Sequence, residues 1–213
     1  MENVLVAGAN GTTGKQVVNL LKNSQYFNPI AMVRKESQLE QFKNENIDTV
    51  LGDLTKDLTH VVKNVDKVVF AAGSGGKNVF EVDQEGAKRL IDVSKMANVN
   101  KFVMLSSMGA NTPAKFEDLK DYMKAKQNAD KHLRESDLKY AIIRPGTLKN
   151  EEGKGKIEIA ENELNKQGEI SRADVAQTLV RALHDDAPKN KTFEILEGNL
   201  ATELALQEVE QHA

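Results

Sequence analysis

"VLVAGANGTTGKQVVNLL" (residues 4–21) places three glycines, Gly8, Gly11 and Gly14, between an apolar run and an amphipathic one. The apolar run predicts a buried strand, and the amphipathic run predicts a helix. In a turn between the two, Gly8 permits a sharp change of direction, and Gly11 lets a diphosphate approach the backbone closely. Gly14 lets the helix pack close to the sheet. This spacing therefore favours a nucleotide-binding turn over a glycine turn without a ligand.

Three polar side chains lie inside the same turn. Asn10, Thr12 and Thr13 flank the middle glycine, and the two hydroxyl groups can add hydrogen-bond donors to the backbone N–H groups. The N-terminus of the following helix carries exposed N–H groups and the positive end of the helix dipole, both of which favour a phosphate. We therefore expect the three glycines and these three polar residues to contribute to a dinucleotide-binding site.

The residues after the second predicted strand indicate which dinucleotide is bound. An NAD site usually has an aspartate or glutamate about 20 residues past the glycines, where it holds the ribose hydroxyls. This chain has no acidic residue between Gly14 and Glu36, and its strand ends in Arg34 and Lys35. A guanidinium there can bind the 2′-phosphate of NADP in a forked geometry. The pattern favours NADP over NAD, and the alternative is two solvated cations at a strand end.

Short apolar runs alternate with helical patterns along the first two thirds of the chain. Most of the runs are continuously apolar, as expected for strands buried on both faces of a parallel sheet. The predicted strands are residues 3–7, 30–33, 48–52, 66–72, 101–107 and 139–145. The predicted helices are residues 14–23, 36–45, 55–63, 79–98 and 114–136. This alternation predicts an α/β fold, a Rossmann-like doubly wound parallel sheet built from right-handed crossovers.

The pattern changes after Pro145. The remaining segments are a charged loop, a helix that begins with a capping box, a strand and a closing helix, at 151–156, 171–184, 191–198 and 201–211. Residues 146–213 are too few for an independent core. We therefore expect a small C-terminal extension on the substrate side, packed on a single Rossmann domain that spans residues 1–213.

The composition excludes several classes of function. The chain has 213 residues, a net charge of −3 and no cysteine. It therefore offers no bulk basic field for nucleic acid or anionic lipid, and no disulfides or thiolate sites. The four histidines are scattered without metal-ligand spacing, so we expect no metal site. No apolar run approaches the roughly 20 residues of a membrane span, and the N-terminus does not resemble a signal peptide. We expect a soluble cytoplasmic protein.

Two further segments end strands at the edge where open α/β sheets bind ligands. Asp53 and Leu54 follow the third predicted strand, and Asp53 either accepts a hydrogen bond from the adenine amino group or caps the following helix. Ala71, Ala72 and Gly73 follow the fourth strand, where small side chains let the backbone lie along the nicotinamide ribose. We expect these five residues to contact the cofactor.

Tyr122 and Lys126 are the candidates for acid–base chemistry. They lie four residues apart in a predicted helix and so share one of its faces. A lysine ammonium close to a phenol favours the phenolate, which makes Tyr122 a usable proton donor near neutral pH. Ser106 and Ser107 end the fifth predicted strand at the same edge of the sheet, where a serine can hydrogen-bond a substrate carbonyl. The adjacent serines leave open which of the two does so.

Taken in order, these features resemble the short-chain dehydrogenase/reductase superfamily. They are the glycine turn, the aspartate after strand three, "AAG" after strand four, the serine after strand five, Y-x-x-x-K and "RPG" (144–146). The chain is most similar to a small atypical branch of NAD(P)H-binding proteins. Members of that branch are described as sugar-nucleotide epimerases, and they are related to flavin/biliverdin reductases and to cofactor-sensing regulators. Segments 82–110, 133–148 and 170–176 also resemble that branch, so the resemblance covers nearly the whole chain.

The resemblance implies roles for individual residues. Tyr122 would be the catalytic acid/base, Lys126 would bind the nicotinamide ribose, and Ser107 would orient the substrate. Pro145 would lie beside the nicotinamide, and Ser106 would contact the cofactor.

Two functions fit these features. The first is an NADP-dependent reductase that passes hydride to a small carbonyl or conjugated acceptor, and the second is a redox sensor that binds NADP(H) without turnover. Extended epimerases hold a nucleotide sugar in a larger C-terminal lobe, so we expect a smaller substrate here. The helices at 79–98 and 114–136 could also form the seam of a homodimer, or simply pack on the sheet.

Overall fold

A computed structural model describes residues 1–164 and 166–211 of the chain. Eleven strands occur in these residues: β1 (Glu2–Ala7), β2 (Phe27–Val33), β3 (Asp48–Leu51), β4 (Lys67–Phe70), β5 (Lys101–Leu105), β6 (Tyr140–Pro145), β7 (Thr147–Lys149), β8 (Lys156–Glu161), β9 (Glu169–Ser171), β10 (Lys191–Glu197) and β11 (Leu200–Ala201). The α-helices of the same residues are α1 (Thr12–Lys22), α2 (Glu36–Lys43), α3 (Ala87–Met96), α4 (Lys120–Arg134), α5 (Arg172–Arg181) and α6 (Thr202–Gln211).

Nine strands form one sheet in the order β3-β2-β1-β4-β5-β6-β10-β8-β11. The strands from β3 to β10 run parallel to their neighbours, and β8 runs antiparallel to β10 and β11. Every residue of β4, β5 and β6 is buried, because helices cover both faces of the central sheet. The predicted Rossmann-like, doubly wound α/β fold is confirmed. Strands β7 and β9 form a separate parallel pair.

The two faces of the sheet carry two apolar cores. On one face α1 and α5 pack side by side, with Val17 and Leu21 of α1 in the same cluster as Val175 and Leu179 of α5. On the other face α3 and α4 cover the sheet. Since β10 pairs with β6, residues after Pro145 extend the same sheet.

Three predicted elements differ from the structure. The helix predicted at 55–63 is wrong: only a 3-10 turn forms at Thr59–Val62, because the side chains of Asp53 and Asp57 bond to the backbone two residues on and compete with helical bonding. The helix predicted at 79–98 begins as a wider π-helix at Val79–Gly86, and only then becomes α3. The helix predicted at 114–136 begins with two 3-10 turns before α4.

Strand β8 was not expected, because its sequence KIEIAE alternates charged and apolar residues next to a charged segment. The segment 151–156, expected as a surface loop, is held at its C-terminal end. The backbone N–H groups of Lys154 and Gly155 donate to the carboxylate of Asp174, at 3.1 and 2.7 Å. Ser171 caps α5 as predicted, since its Oγ accepts a hydrogen bond from the N–H of Asp174.

Two buried lysines join the sheet to the end of α5. Lys67 and Lys101 are register partners at the starts of β4 and β5, and each is 1% exposed. Lys67 Nζ lies 2.9 Å from the carbonyl oxygen of Leu183, and Lys101 Nζ lies 3.1 Å from that of His184. These cations satisfy carbonyl groups just past a helix C-terminus, where the helix dipole favours positive charge. No helix among the described residues combines the length and the apolar character needed to cross a membrane.

Candidate functional site

A cleft of about 1080 Å³ runs along the carboxyl ends of the parallel strands. The turn after β1, the ends of β2 to β5, and α4 line it, and Leu148 and Arg172 contribute from the C-terminal part of the chain. In open α/β sheets this edge is where the crevice between neighbouring strands binds ligands. Its volume is at the upper end of the range for pockets that hold small molecules and cofactors.

The glycine turn forms the floor of the cleft. Gly8 has a φ of +88°, and a Cβ at this position would lie 2.6 Å from the Cα of Ala72, so only glycine allows β1 and β4 to approach here. The N–H of Gly11 donates to the carbonyl oxygen of Gly8 at 2.9 Å. Helix α1 then begins at Thr12 without a side-chain cap. Its first N–H groups therefore lack a side-chain acceptor and are available to an anion.

The residues at the end of β2 are arranged around Gln38. Its Oε1 accepts hydrogen bonds from the backbone N–H groups of Arg34 and Lys35, at 3.2 and 3.0 Å. This fixes the backbone after the strand and leaves the Arg34 side chain exposed along the cleft. Lys35 does not line the cleft.

Asp53 lines the cleft and also closes its own turn. Its Oδ1 accepts hydrogen bonds from the N–H and the hydroxyl of Thr55, at 3.0 and 2.8 Å. The hydrogen bond from the Thr55 backbone is the main cause that lowers the pKa of Asp53, with smaller contributions from the Thr55 hydroxyl, Lys56 and Arg34. The two interpretations of Asp53, as a ligand contact and as a local cap, are therefore compatible.

Tyr122 and Lys126 line the cleft from successive turns of α4. Lys126 Nζ lies 5.6 Å from the centroid of the Tyr122 ring, 3.3 Å from the carbonyl oxygen of Leu105 and 3.9 Å from Oδ1 of Asp83. Lys126 is 4% exposed and Asp83 is 1% exposed. The ammonium is thus held between a phenol and a buried carboxylate, and the α4 spacing brings the tyrosine and lysine together as a unit.

The two serines after β5 differ in position. Ser106 is buried and lines the cleft, and its Oγ donates to Oδ2 of Asp130 at 2.9 Å. Ser107 is half-buried and does not line the cleft, and its Oγ donates to the carbonyl oxygen of Met108 at 3.3 Å. Each hydroxyl proton therefore already has an acceptor within the protein.

Oδ2 of Asp130 also accepts from Nε and Nη2 of Arg144, at 3.0 and 2.8 Å. Burial raises the pKa of Asp130, and the charge of Arg144 opposes that rise.

Most of the predicted site residues meet in this one cleft. The predicted residues that line it are Gly8, Asn10, Gly11, Thr12, Thr13, Arg34, Asp53, Leu54, Ala71, Ala72, Gly73, Ser106, Tyr122 and Lys126. Gly14, Ser107 and Pro145 do not line it. Gly14 supports the turn from behind, because a Cβ there would lie 2.0 Å from the carbonyl oxygen of Gly8. The carbonyl oxygen of Pro145 accepts a hydrogen bond from the N–H of Met108.

Sequence reasoning missed several charged residues of the cleft. Asp83 enters it from the π-helix, Lys77 from the loop after β4, and Arg172 from the first residue of α5. Motif spacing gave no signal for any of the three, since each is placed by packing of distant segments. With Arg34 and Lys126, the cleft has four cationic side chains against two carboxylates, those of Asp53 and Asp83. The chain is acidic as a whole, yet this cleft is positive and suits an anionic ligand.

These residues fit a nicotinamide dinucleotide. The uncapped start of α1 can hold the diphosphate, and the exposed Arg34 guanidinium at the end of β2 meets no acidic residue at the position where an NAD site places one. Oδ1 of Asp83 is buried without a hydrogen-bond partner among the described residues. Asp83 and Lys126 lie at the end of the cleft that also contains Tyr122. A bound nucleotide can therefore be held by charge at several points.

Comparison with known proteins agrees with this geometry. A family model described as NAD(P)H-binding matches residues 8–186. A protein of Bacillus subtilis named an uncharacterized sugar epimerase, YhfK, is 35% identical over 97% of this chain and 99% of its own. Sanguinarine reductase of Eschscholzia californica is 26% identical over 90% of this chain and 88% of its own.

The solved structure of a Bacillus halodurans protein, described as an NAD-dependent epimerase/dehydratase, has a TM-score of 0.93. It is 33% identical to this chain, and the match covers 98% of this chain and 100% of that one. The resemblance to the atypical short-chain dehydrogenase/reductase branch is therefore confirmed, and the chain belongs to the NAD(P)H-binding family of Rossmann-fold, oxidoreductase-like proteins.

Proposed function

We propose that this chain is an NADP-dependent reductase that acts on a small carbonyl or conjugated acceptor, with Tyr122 as the proton donor. The observation that carries the proposal is the position of Tyr122 and Lys126. They lie one helical turn apart, with Nζ 5.6 Å from the ring centroid, in the cleft that the glycine turn also lines. An acid–base pair beside a dinucleotide site is the arrangement that hydride transfer to a carbonyl needs.

The chain's own residues have simple roles in this reaction. A dinucleotide held by the glycine turn and Arg34 would supply the hydride that the acceptor carbon receives. Tyr122 gives its phenolic proton to the acceptor oxygen, so that a carbonyl becomes an alcohol. The Lys126 ammonium stabilises the phenolate left behind, and Asp83 and the Leu105 carbonyl hold that ammonium in place. The phenolate recovers a proton from solvent before the next cycle.

Arg34 supports NADP rather than NAD as the cofactor. Its side chain is exposed along the cleft, and no ion pair involves it among the described residues. A charge-assisted hydrogen bond contributes about 1.5–3 kcal/mol, which corresponds to roughly 10–100-fold in affinity. We therefore expect Arg34→Ala to weaken NADPH by that factor and NADH little.

The names of the relatives support a reductase in part. Sanguinarine reductase is a relative by sequence over nine tenths of this chain. The other two names refer to epimerases. A Tyr-Lys pair can serve either chemistry, since both move hydride and proton at one carbon. We infer a small acceptor, because in the described part of the chain the C-terminal residues that line the cleft are Leu148 and Arg172 alone.

The test is a titration with NADPH and NADH followed by nicotinamide fluorescence, and then a screen of aldehydes, ketones, quinones and flavins as acceptors. We expect tighter binding of NADPH, and NADPH oxidation that Tyr122→Phe abolishes while cofactor affinity stays within about twofold. Tyr26→Phe, which changes an exposed tyrosine outside the cleft, is the matched control. Turnover that survives in Tyr122→Phe would contradict the acid role, and equal affinities would remove the role of Arg34.

A redox sensor that binds NADP(H) without turnover is the second candidate. One observation favours it: both serine hydroxyls after β5 already donate to protein acceptors, so a substrate carbonyl would have to displace one of these hydrogen bonds. A sensor would bind NADPH and NADP⁺ with different affinities and would oxidise NADPH with none of the acceptors. In a sensor, Tyr122→Phe would leave both affinities unchanged.

A further inference from the structure

Arg172 lies on the wall of the cleft formed by the C-terminal part of the chain. It is the first residue of α5, it is half-buried, and it lines the cleft beside Leu148. Its Nη1 donates to Oδ1 of Asn150 at 2.7 Å and to the carbonyl oxygen of Leu148 at 3.3 Å. Two neutral acceptors therefore hold one end of the guanidinium in a fixed position.

No carboxylate pairs with this guanidinium in residues 1–164 and 166–211. By contrast Arg89, Arg144 and Arg181 each pair with an acid at 2.7–2.9 Å. An arginine carries five N–H donors in a planar fork, and the bonds from Nη1 leave Nε and Nη2 without a protein acceptor in the described chain. A half-buried cation with unused donors, at the wall of a positive cleft, is suited to receive an oxyanion.

This position is separate from that of Arg34. Arg34 follows β2, and the residues that hold Arg172 follow β6, which lies four strands away in the order β6-β5-β4-β1-β2. At about 4.8 Å per strand the ends of β2 and β6 are roughly 19 Å apart, so Arg34 and Arg172 reach the cleft from different ends. Helix α5 packs beside α1, so Arg172 starts its helix on the same face of the sheet as the glycine turn.

We propose that Arg172 binds a second oxyanion in the cleft, distinct from the one assigned to Arg34. Two ligands can supply it: the diphosphate of the dinucleotide, or an acidic group on the acceptor. The inference rests on the proposed function only in that the cleft holds NADP(H); it does not require turnover.

The first experiment measures Kd for NADPH and NADH in wild type, Arg172→Gln and Arg172→Lys by fluorescence. If the diphosphate is the ligand, Arg172→Gln weakens both cofactors by the same factor, about 10-fold or more, because both carry the diphosphate. The NADPH/NADH ratio then stays at its wild-type value, whereas Arg34→Ala changes that ratio. Arg172→Lys keeps the charge and recovers part of the affinity. Arg181→Gln, at the other end of α5 and outside the cleft, should change neither Kd.

The second experiment uses calorimetry on the NADP⁺-loaded protein with 4-carboxybenzaldehyde and its methyl ester. If the acceptor supplies the anion, Arg172→Gln leaves both cofactor affinities unchanged and weakens the acid by about 10-fold without affecting the ester. If neither the cofactors nor the acid lose affinity relative to Arg181→Gln, the proposal is wrong. Failure of the reductase would appear separately, as normal binding in both experiments without NADPH oxidation. Circular dichroism and thermal melts of each variant exclude misfolding as the cause.

Discussion

The hydroxyl of Ser106 and the carboxylate of Asp130 form a 2.9 Å hydrogen bond beneath the cleft, with the serine as donor. The oxygen that accepts this bond also receives two hydrogen bonds from Arg144. Asp130 is fully buried and Arg144 is 4% exposed, so this is an ion pair largely removed from solvent. It joins α4, β5 and β6 directly below the residues proposed to act in catalysis.

Asp130→Asn should therefore destabilise the protein by about 3–5 kcal/mol, because it leaves a buried guanidinium without its counter-charge. Urea unfolding at pH 7 measures this directly. Asp92→Asn, which disturbs an exposed contact with His132, is the matched control and should cost less than about 1 kcal/mol. If Asp130→Asn and Asp92→Asn lower the free energy of unfolding equally, the buried pair stabilises the protein no more than an exposed contact does.

Activity measurements can distinguish the roles of the adjacent residues Ser106 and Ser107. Ser106 lines the cleft and Ser107 does not, so we expect Ser106→Ala to lower kcat/KM by about 10-fold and Ser107→Ala to change it little. NADPH affinity, measured in parallel, distinguishes a substrate contact from a cofactor contact. The reverse result would assign the orienting role to Ser107, as the resemblance implies.

The glycine turn should tolerate no side chain at Gly8. Its φ of +88° and the contact at 2.6 Å with Ala72 predict that Gly8→Ala costs about 2–5 kcal/mol and removes NADPH binding. Gly155→Ala is the control, since Gly155 also has a positive φ of +65° but has room for a Cβ. That variant should cost only about 1–2 kcal/mol and bind NADPH normally. Normal binding by a folded Gly8→Ala variant would contradict the proposed phosphate turn.

The free energy of unfolding should decrease as the pH falls below about 6.5, because of His184. Burial is the main cause that lowers its pKa from 6.5, and Arg181 and Lys67 lower it further, while Asp185 and Asp186 oppose the change. The rings of Tyr26 and Phe27 pack against it at 5.3 and 4.9 Å between centroids. The unfolded chain therefore takes up a proton at higher pH than the folded one, so the stability is complete above pH 6.5 and declines as the pH falls.

Urea midpoints at pH 5.5 and 7.5 measure this decline, and His184→Gln should make the difference smaller. An unchanged difference in the variant would mean that other groups cause the pH dependence.

The sequence predicted the fold well and the cleft only in part. Continuous apolar runs marked the central strands, because burial on both faces leaves no room for polar residues, and the glycine spacing marked the first turn. Asp83 lies in segment 82–110, which resembles the family, but helical spacing did not place it in the cleft, since a π-helix rather than an α-helix carries it there. Arg172 lies in segment 170–176, which also resembles the family, but its place in the cleft depends on how α5 packs against α1, about 150 residues earlier in the chain. Strand β8 resembled a solvated segment, as an edge strand often does.

The contacts of Lys67 and Lys101, at the strand ends opposite the cleft, have a consequence for folding during synthesis. Residues 1–145 contain every strand from β1 to β6, and Lys67 and Lys101 of these strands donate to carbonyl oxygens of residues 183–187. On the ribosome, the glycine turn is synthesised long before residues 183–187, which carry those acceptors. We therefore expect the sheet of residues 1–145 to become stably folded late, when α5 has left the exit tunnel. A chain truncated at Pro145 should be more sensitive to protease than the complete protein.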